Sequence, residues 1–441
     1  MPYNILELFK VINVMKNSST NFYKWILLLM LGGAYFFHQA DRAIFGVLTP
    51  YVQADLGLSE IQIGHITTIL FITIAVVTFF AGFLGDRYNR KWIITLSLLF
   101  WSCATAAIGL IKEFEIYGFT ISAFAMTMFL RSVAVGGGES FYAPSAMSLL
   151  ASSHKETRSL AFSIHQAALY FGLMMSGVLA AKVLGLFGSW RAVFVAFGLA
   201  GMILAIIFIF ALKEVPREIA SVKEEKLPIS ASFKAYFTNP SALLATTGFV
   251  AIVCVNNAYL TWAPKIFSER FGVDAGVAGS HTMLYRHLVA FVAILIGGWL
   301  TDRFVRIMPR FRLLLQIIAL LGGAIALLFI GKSGSFTLAV TLTAIYGLFR
   351  GLFEVNTHAS VFDVISSRHH ASVVGFMLLL AMFLGALFAG ELMGRILERF
   401  DKSEGCFIVF FLMALTYALA AILMSISFFY TFKKDYRAKG I

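Results

Sequence analysis

GFLGDRYNRK at residues 82–91 and GWLTDRFVR at residues 298–306 are two copies of one short loop, and their placement decides the fold. Asp86 and Asp302 stand 216 residues apart in a chain of 441, each following an apolar run long enough to cross a bilayer. The chain therefore reads as two related halves, the arrangement of membrane proteins built from internal repeats with a site held between them.

Working outward from the two loops, composition narrows the class further. Hydrophobic residues make up 59% of the chain, charged residues 13%, and the mean hydropathy is +0.85. A water-soluble fold of this composition would expose far too much apolar surface. A helix needs about 20 apolar residues to cross the hydrocarbon, and the chain divides into twelve runs of that length. They fall near 25–53, 61–83, 92–111, 117–149, 159–186, 190–212, 241–268, 278–300, 313–331, 336–364, 371–397 and 405–431. The runs are apolar throughout instead of alternating with period two, which disfavours a strand barrel. The expected fold is an all-α polytopic membrane protein of twelve transmembrane helices in two pseudo-symmetric six-helix bundles. Residues 1–212 form the first, 213–240 a cytoplasmic linker and 241–441 the second.

The net charge of +12 does not call for nucleic acid. With the amino terminus placed in the cytoplasm, 22 of the 35 Lys and Arg fall on the cytoplasmic side and 9 on the other, leaving four arginines inside helices. That is the positive-inside bias, with both termini cytoplasmic. No basic face interleaved with aromatics points to nucleic acid. The first twenty residues carry Glu7, Lys10 and Lys16, so they read as an interfacial lead-in and not as a cleavable signal. Cys103, Cys254 and Cys406 lie in or beside apolar segments without metal spacing, which makes them packing residues. Asn17-Ser18-Ser19 matches a glycosylation acceptor, but its cytoplasmic placement makes the match accidental. The hydrophilic stretch from Lys213 to Asn239 is a solvated tether. No phosphate-cradling loop is present, nor any nucleophile with a base or paired hydrolytic carboxylates, so neither ATP-driven pumping nor enzymatic chemistry is expected.

The loop at 82–91 resembles the signature of the major facilitator superfamily of secondary transporters, Gly-x-Leu-Ala/Gly-Asp-Arg-x-Gly-Arg-Lys, and the resemblance extends over nearly the whole chain. It departs at Asn89, where glycine is usual; Asn tolerates a left-handed turn. The second copy keeps Asp302 and Arg303 but has Val305 at the glycine position. The resemblance implies a cytoplasmic gate of Gly82, Asp86, Arg87, Arg90, Asp302 and Arg303 that locks the helix ends together in the outward-open state. Other repeats agree with it: Pro50 and Pro264 near the outer ends of helices 1 and 7, and Arg131 and Arg350 in helices 4 and 10.

Charges inside the membrane carry the mechanism, because each costs roughly 2.5–3.5 kcal/mol there unless paired or hydrated. Helix 1 places His38, Asp41 and Arg42 on one face. Helix 4 carries Arg131 and Glu139 in RSVAVGGGESFYAP, where Gly136, Gly137 and Gly138 permit close contact or local irregularity. Helix 10 carries Arg350 and Glu354, four residues apart. Asp41 with Arg42, or Arg350 with Glu354, can equally be structural pairs. Glu139 has no obligatory partner in sequence, which makes it, with Asp41, a candidate for loading and releasing a proton.

The Asp-Arg pair in helix 1 with the glycine-glutamate stretch in helix 4 resembles two branches of the superfamily. One is the organic anion:cation symporters, with sialic-acid and hexuronate carriers; the other is the spinster-like lipid transporters. The resemblance implies proton coupling by Asp41 and Glu139 and a cavity lined by Arg42 and Arg131. In those branches the arginine stands seven residues before the glutamate, whereas here Arg131 stands eight before. One residue is about 100° of rotation, which turns Arg131 toward a neighbouring helix instead of the cavity.

Further binding candidates are His165, Gln166 and Tyr170 in helix 5, Asn256, Asn257 and Tyr259 in helix 7, and Tyr285 and Arg286 in helix 8. Amides, hydroxyls and rings suit a polyhydroxylated ligand, and Arg42, Arg286 or Arg350 suits its carboxylate. The expectation is a monomeric, proton-coupled importer of a small organic anion, a hexuronate or sialic acid, multi-pass in the membrane and, if the chain is bacterial, in the cytoplasmic membrane, without cofactor or metal. Its partners are that anion, protons and membrane lipid. A spinster-like lysolipid exporter is the alternative, and a non-transporting sensor or scaffold is a second.

Overall fold

The computed structural model of the protein describes residues 5–116, 119–154, 157–214, 229–366 and 369–438. Almost all of them are helical, as the hydrocarbon demands: without water to satisfy them, backbone groups must bond within their own segment. The helices in chain order are α1 (Ile5–Leu56), α2 (Glu60–Arg87), α3 (Arg90–Ile108), α4 (123–153), α5 (Arg158–Phe187) and α6 (Trp190–Ala211). After a short connecting helix, Ile229–Phe237, come α7 (Pro240–Phe271), α8 (Ala275–Phe304), α9 (Phe311–Lys332), α10 (Phe336–Glu354), α11 (370–399) and α12 (402–438). Ten described helices are long and apolar enough to span a membrane. The other two, α1 and α4, carry Asp41, Arg42, Arg131 and Glu139.

Differences from the expected spans have local causes. The segment ahead of α4 is a small hairpin, β1 (Phe114–Ile116) paired with β2 (Phe119–Ile121), not helix. The lead-in continues into α1 as one helix from Ile5, and the linker centre lies outside the described residues. Asn89 does not take the left-handed conformation: its φ is −66°, and its side chain accepts from Trp92 N, so it caps α3. α2 begins with a reciprocal capping box between Ser59 and Gln62.

Lipid is the solvent for the outer surface, where Phe100, Phe171, Trp299, Phe329 and Ile422 are all more than half exposed. Between the halves the backbones come unusually close. A Cβ on Gly64 in α2 would stand 2.5 Å from Gly390 O in α11, and one on Gly177 in α5 would stand 2.5 Å from Gly279 O in α8. These two crossings exchange under the pseudo-twofold that relates the halves, and they rest on the small-residue packing that drives helix association in lipid.

Candidate functional site

The first half gathers its charges around Glu139, buried to 1% exposure. Arg42 Nε and Nη2 donate to Glu139 Oε2 at 3.3 and 2.9 Å, while Oε1 has no partner. Gln39 Nε2 donates to His38 Nδ1 at 2.9 Å, which places the imidazole proton on Nε2, facing Glu139 O at 3.3 Å. Asp41 turns the other way and accepts from Thr105 Oγ1 in α3 at 2.6 Å, its second oxygen unpaired. Glu139 thus has a partner, and it is Arg42, so the pairing of Asp41 with Arg42 considered from sequence is not the one formed.

Arg131 is where the helix itself departs from expectation. Residues Met128–Val135 of α4 form a π-helix, whose bonds run from i to i+5 and whose wider turn takes in an extra residue. The additional residue between Arg131 and Glu139 is absorbed there. Instead of facing away, Arg131 is buried, donates from Nη2 to Arg42 O at 2.8 Å, and lies over the Phe45 ring. Ser132, at the seven-residue position, bonds Ile66 O in α2. Arg42 and Arg131 share a cavity of about 20 Å³ with Thr67, Leu260 and Thr261, room for a water or two.

Beside this cluster His165 stacks on Tyr35 at 4.3 Å, 9° from parallel. The Tyr142 hydroxyl donates to Leu31 O, so His165 Nε2, 3.0 Å away, donates to the phenol oxygen. Gln166 is exposed, and Tyr170 is buried on the far side of α5, facing the Arg350–Glu354 pair of the second half. In that pair Arg350 Nη1 and Glu354 Oε2 stand 2.9 Å apart without an aligned hydrogen bond. Arg286 is fully buried, donates from Nη2 to Asn256 Oδ1 at 2.6 Å, and lies against the neighbouring rings of Tyr259 and Tyr346, 4.5 and 5.2 Å from their centroids. Asn257 is buried with its Nδ2 unpaired. Tyr285 does not join them: one residue from Arg286, it is 39% exposed beside His281.

Of the gate residues, Gly82, Asp86 and Arg87 lie in α2 with their side chains outside the described residues. Asp302 and Arg303 are exposed at the end of α8. Arg90 clamps helices of the first half together, donating to Glu214 Oε1 at 2.8 Å and to Ser148 and Ser152 in α4.

The opposite end holds a second gate not foreseen from sequence. Lys265 Nζ in α7 donates to Glu60 in α2 at 2.5 Å and to Glu269 at 2.6 Å. Glu398 in α11 accepts from the backbone N–H of Glu60 and Ile61 at 2.8 and 3.3 Å, an anion at the start of α2. The Tyr51 hydroxyl in α1 donates to Asp274, the cap of α8. The halves are therefore closed at the end bearing Pro50 and Pro264. The signal available in sequence was a lysine inside an apolar run with a glutamate four residues on.

Two helical bundles meeting on a pseudo-twofold, closed at one end and holding paired charges at mid-membrane, define a multi-pass membrane transporter fold. Residues 31–390 match the Major Facilitator Superfamily, and the chain belongs to that family. It is 25% identical over 414 residues to a hexuronate transporter of Bacillus subtilis, covering 90% of this chain and 93% of that one. It is 26% identical over 388 residues to protein spinster homolog 1 of Rattus norvegicus, covering 82% and 71%. Among solved structures it resembles a bacterial homologue of the human lysosomal transporter spinster in an inward-facing, unoccupied conformation, with TM-score 0.79, 22% identity, and 94% and 98% of the two chains covered.

Proposed function

We propose that the chain is a proton-coupled secondary transporter that imports a small organic anion, a sugar acid of the hexuronate or sialic-acid kind, across the cytoplasmic membrane as a monomer. The observation that carries this reading is the Arg42–Glu139 pair, a buried carboxylate holding a cavity arginine by its charge. A proton on Glu139 removes the charge that holds Arg42 and leaves the site one unit more positive, so proton loading favours anion loading. The likeness to the hexuronate transporter along nearly the full length of both chains supports the substrate class. By the positive-inside bias the Pro50 end is outer, so this form is closed toward the outside. Transport then consists of rocking residues 1–212 against 241–441, with the Lys265 gate holding the outer end closed and the loops at 82–91 and 298–306 closing the inner end in turn.

The test is uptake of labelled glucuronate and sialic acid into proteoliposomes under an inward proton gradient, with and without a protonophore. Accumulation that collapses with the protonophore supports the reading. No uptake of either by folded protein refutes it and favours the lysolipid-exporter alternative, to be assayed with lysophospholipid.

A further inference from the structure

Four arginines lie inside the membrane, and three are committed. Arg42 is held by Glu139, Arg131 donates to Arg42 O between the same acids, and Arg350 stands against Glu354. Arg286 differs. It is fully buried, yet among the described residues no carboxylate lies within ion-pair distance of it, and the charged group that acts on it is Arg350, of like sign. Its Nε and Nη1 have no hydrogen-bond partner. Aromatic faces and one amide oxygen soften an unpaired buried cation but do not neutralise it. Its surroundings lack an anion.

We propose that Arg286, beside Tyr259 and Tyr346 inside the second half, is the group that takes the carboxylate of the transported substrate; this rests on the organic-anion reading above. The guanidinium is a fork of three nitrogens: Nε and Nη1 are free, and each makes a two-donor edge for a carboxylate with the N–H that Nη2 has left over. The third, Nη2, is anchored on Asn256, which fixes the plane of the fork. The Tyr259 and Tyr346 rings, their centroids 5.4 Å apart, form one aromatic wall beside the guanidinium that suits the apolar face of a sugar. The carboxylate is thus received by the second half, whereas the proton is received at Asp41 and Glu139 in the first. Loading both ligands engages both halves, as a mechanism that moves them against each other requires.

The experiment is thermal-shift titration of the full chain in detergent with glucuronate, with glucose as the neutral counterpart and acetate as a carboxylate without a sugar. Wild type, Arg286→Met and Arg286→Lys are compared; the lysine variant keeps the charge, so it decides the matter if the methionine variant does not fold. The expected result is stabilisation by glucuronate and not glucose, lost in Arg286→Met and at least tenfold weaker in Arg286→Lys. If wild type binds glucuronate and Arg286→Lys binds it within twofold, the assignment of Arg286 falls while the sugar-acid reading stands. If acetate binds in an Arg286-dependent way and glucuronate does not, the anion site stands and the sugar-acid reading falls. If no carboxylate binds wild type, both fall.

Discussion

Replacing Lys265 by Met should open the Pro50 end. Lys265 has a side chain 6% exposed and bridges Glu60, 20% exposed, in one half and Glu269, 26% exposed, in the other. Removing one partner of a fully buried pair costs about 3–5 kcal/mol, whereas an exposed pair contributes about 0–1. The partial exposure of both glutamates places this gate between those limits, at about 1–3 kcal/mol. A coupling of that size shifts a two-state equilibrium roughly 5–150-fold. Lys265→Met also leaves Glu60 and Glu269 facing one another as like charges, which pushes in the same direction. Ala54 in α1 and Ser403 in α12 are exposed at this end, in opposite halves, and suit spin labels once the native cysteines are replaced. Electron–electron distance distributions between them should show a longer component growing at least fivefold relative to the closed one. Glu269→Gln, which leaves the Lys265–Glu60 bridge intact, should shift the ratio less. A change below twofold in Lys265→Met would mean that the glycine crossings and the Glu398 and Tyr51 contacts hold the end closed without Lys265, and its role as a gate would be refuted.

Glu139→Gln should abolish proton-driven accumulation in proteoliposomes while leaving exchange of internal for external substrate; loss of both together argues against a coupling role. Deleting Val133, which is lipid-exposed within the π-helix, restores a seven-residue spacing between Arg131 and Glu139. It should leave a monodisperse, folded protein, whereas deleting Leu96, which is more exposed, from the regular helix α3 should not; equal damage from both sinks the claim that the π turn absorbs one residue. Arg90→Met should destabilise the first half by roughly 2–4 kcal/mol, because several hydrogen bonds from a buried cation are lost at once; an unchanged detergent melting temperature would contradict that. Uptake of a monoanion should be insensitive to an imposed membrane potential and sensitive to a pH gradient, and strong acceleration by inside-negative potential would exclude one-to-one coupling.

How far the sequence could be read depends on how local each determinant is. The two-half plan was legible because a repeated loop and twelve apolar runs need no tertiary information, and Pro50 and Pro264 indeed lie in α1 and α7 near one end of the bundle. The orientation of Arg131 was misread because 100° per residue holds only in a regular helix, and the three glycines that permit irregularity do not reveal which turn takes it. Asn89 shows a similar limit: a residue that tolerates a left-handed turn is also a strong helix cap, and the start of α3 two residues before Trp92 favours the cap. Glu139 could not be given its partner, since Arg42 lies 97 residues away and only helix packing joins them. Tyr285 was grouped with Arg286 by adjacency, although successive residues on a helix point about 100° apart and one of them must leave the site.

The distribution of charge between the halves links the two ligand sites. With every group ionised, the first half holds Arg42 and Arg131 against Asp41 and Glu139 and is neutral. The second holds Arg286 and Arg350 against Glu354 and carries one positive charge. Adding a monoanion at Arg286 cancels that charge, and adding a proton at Asp41 or Glu139 restores it, so the empty and doubly loaded sites carry the same net charge. The proton-only form carries two positive charges, and the extra unit at mid-membrane costs roughly 2.5–3.5 kcal/mol by insertion scales, whereas the anion-only form is neutral and carries no such cost. That figure is equivalent to about 70–400-fold in an equilibrium constant at room temperature. Charge alone thus restrains entry of a proton without substrate, and restraint of the anion without a proton falls to the Arg42–Glu139 pair. The surplus arginine sets the charge that the moving site tolerates, and the pairings within each half decide where proton and anion can be added without exceeding it.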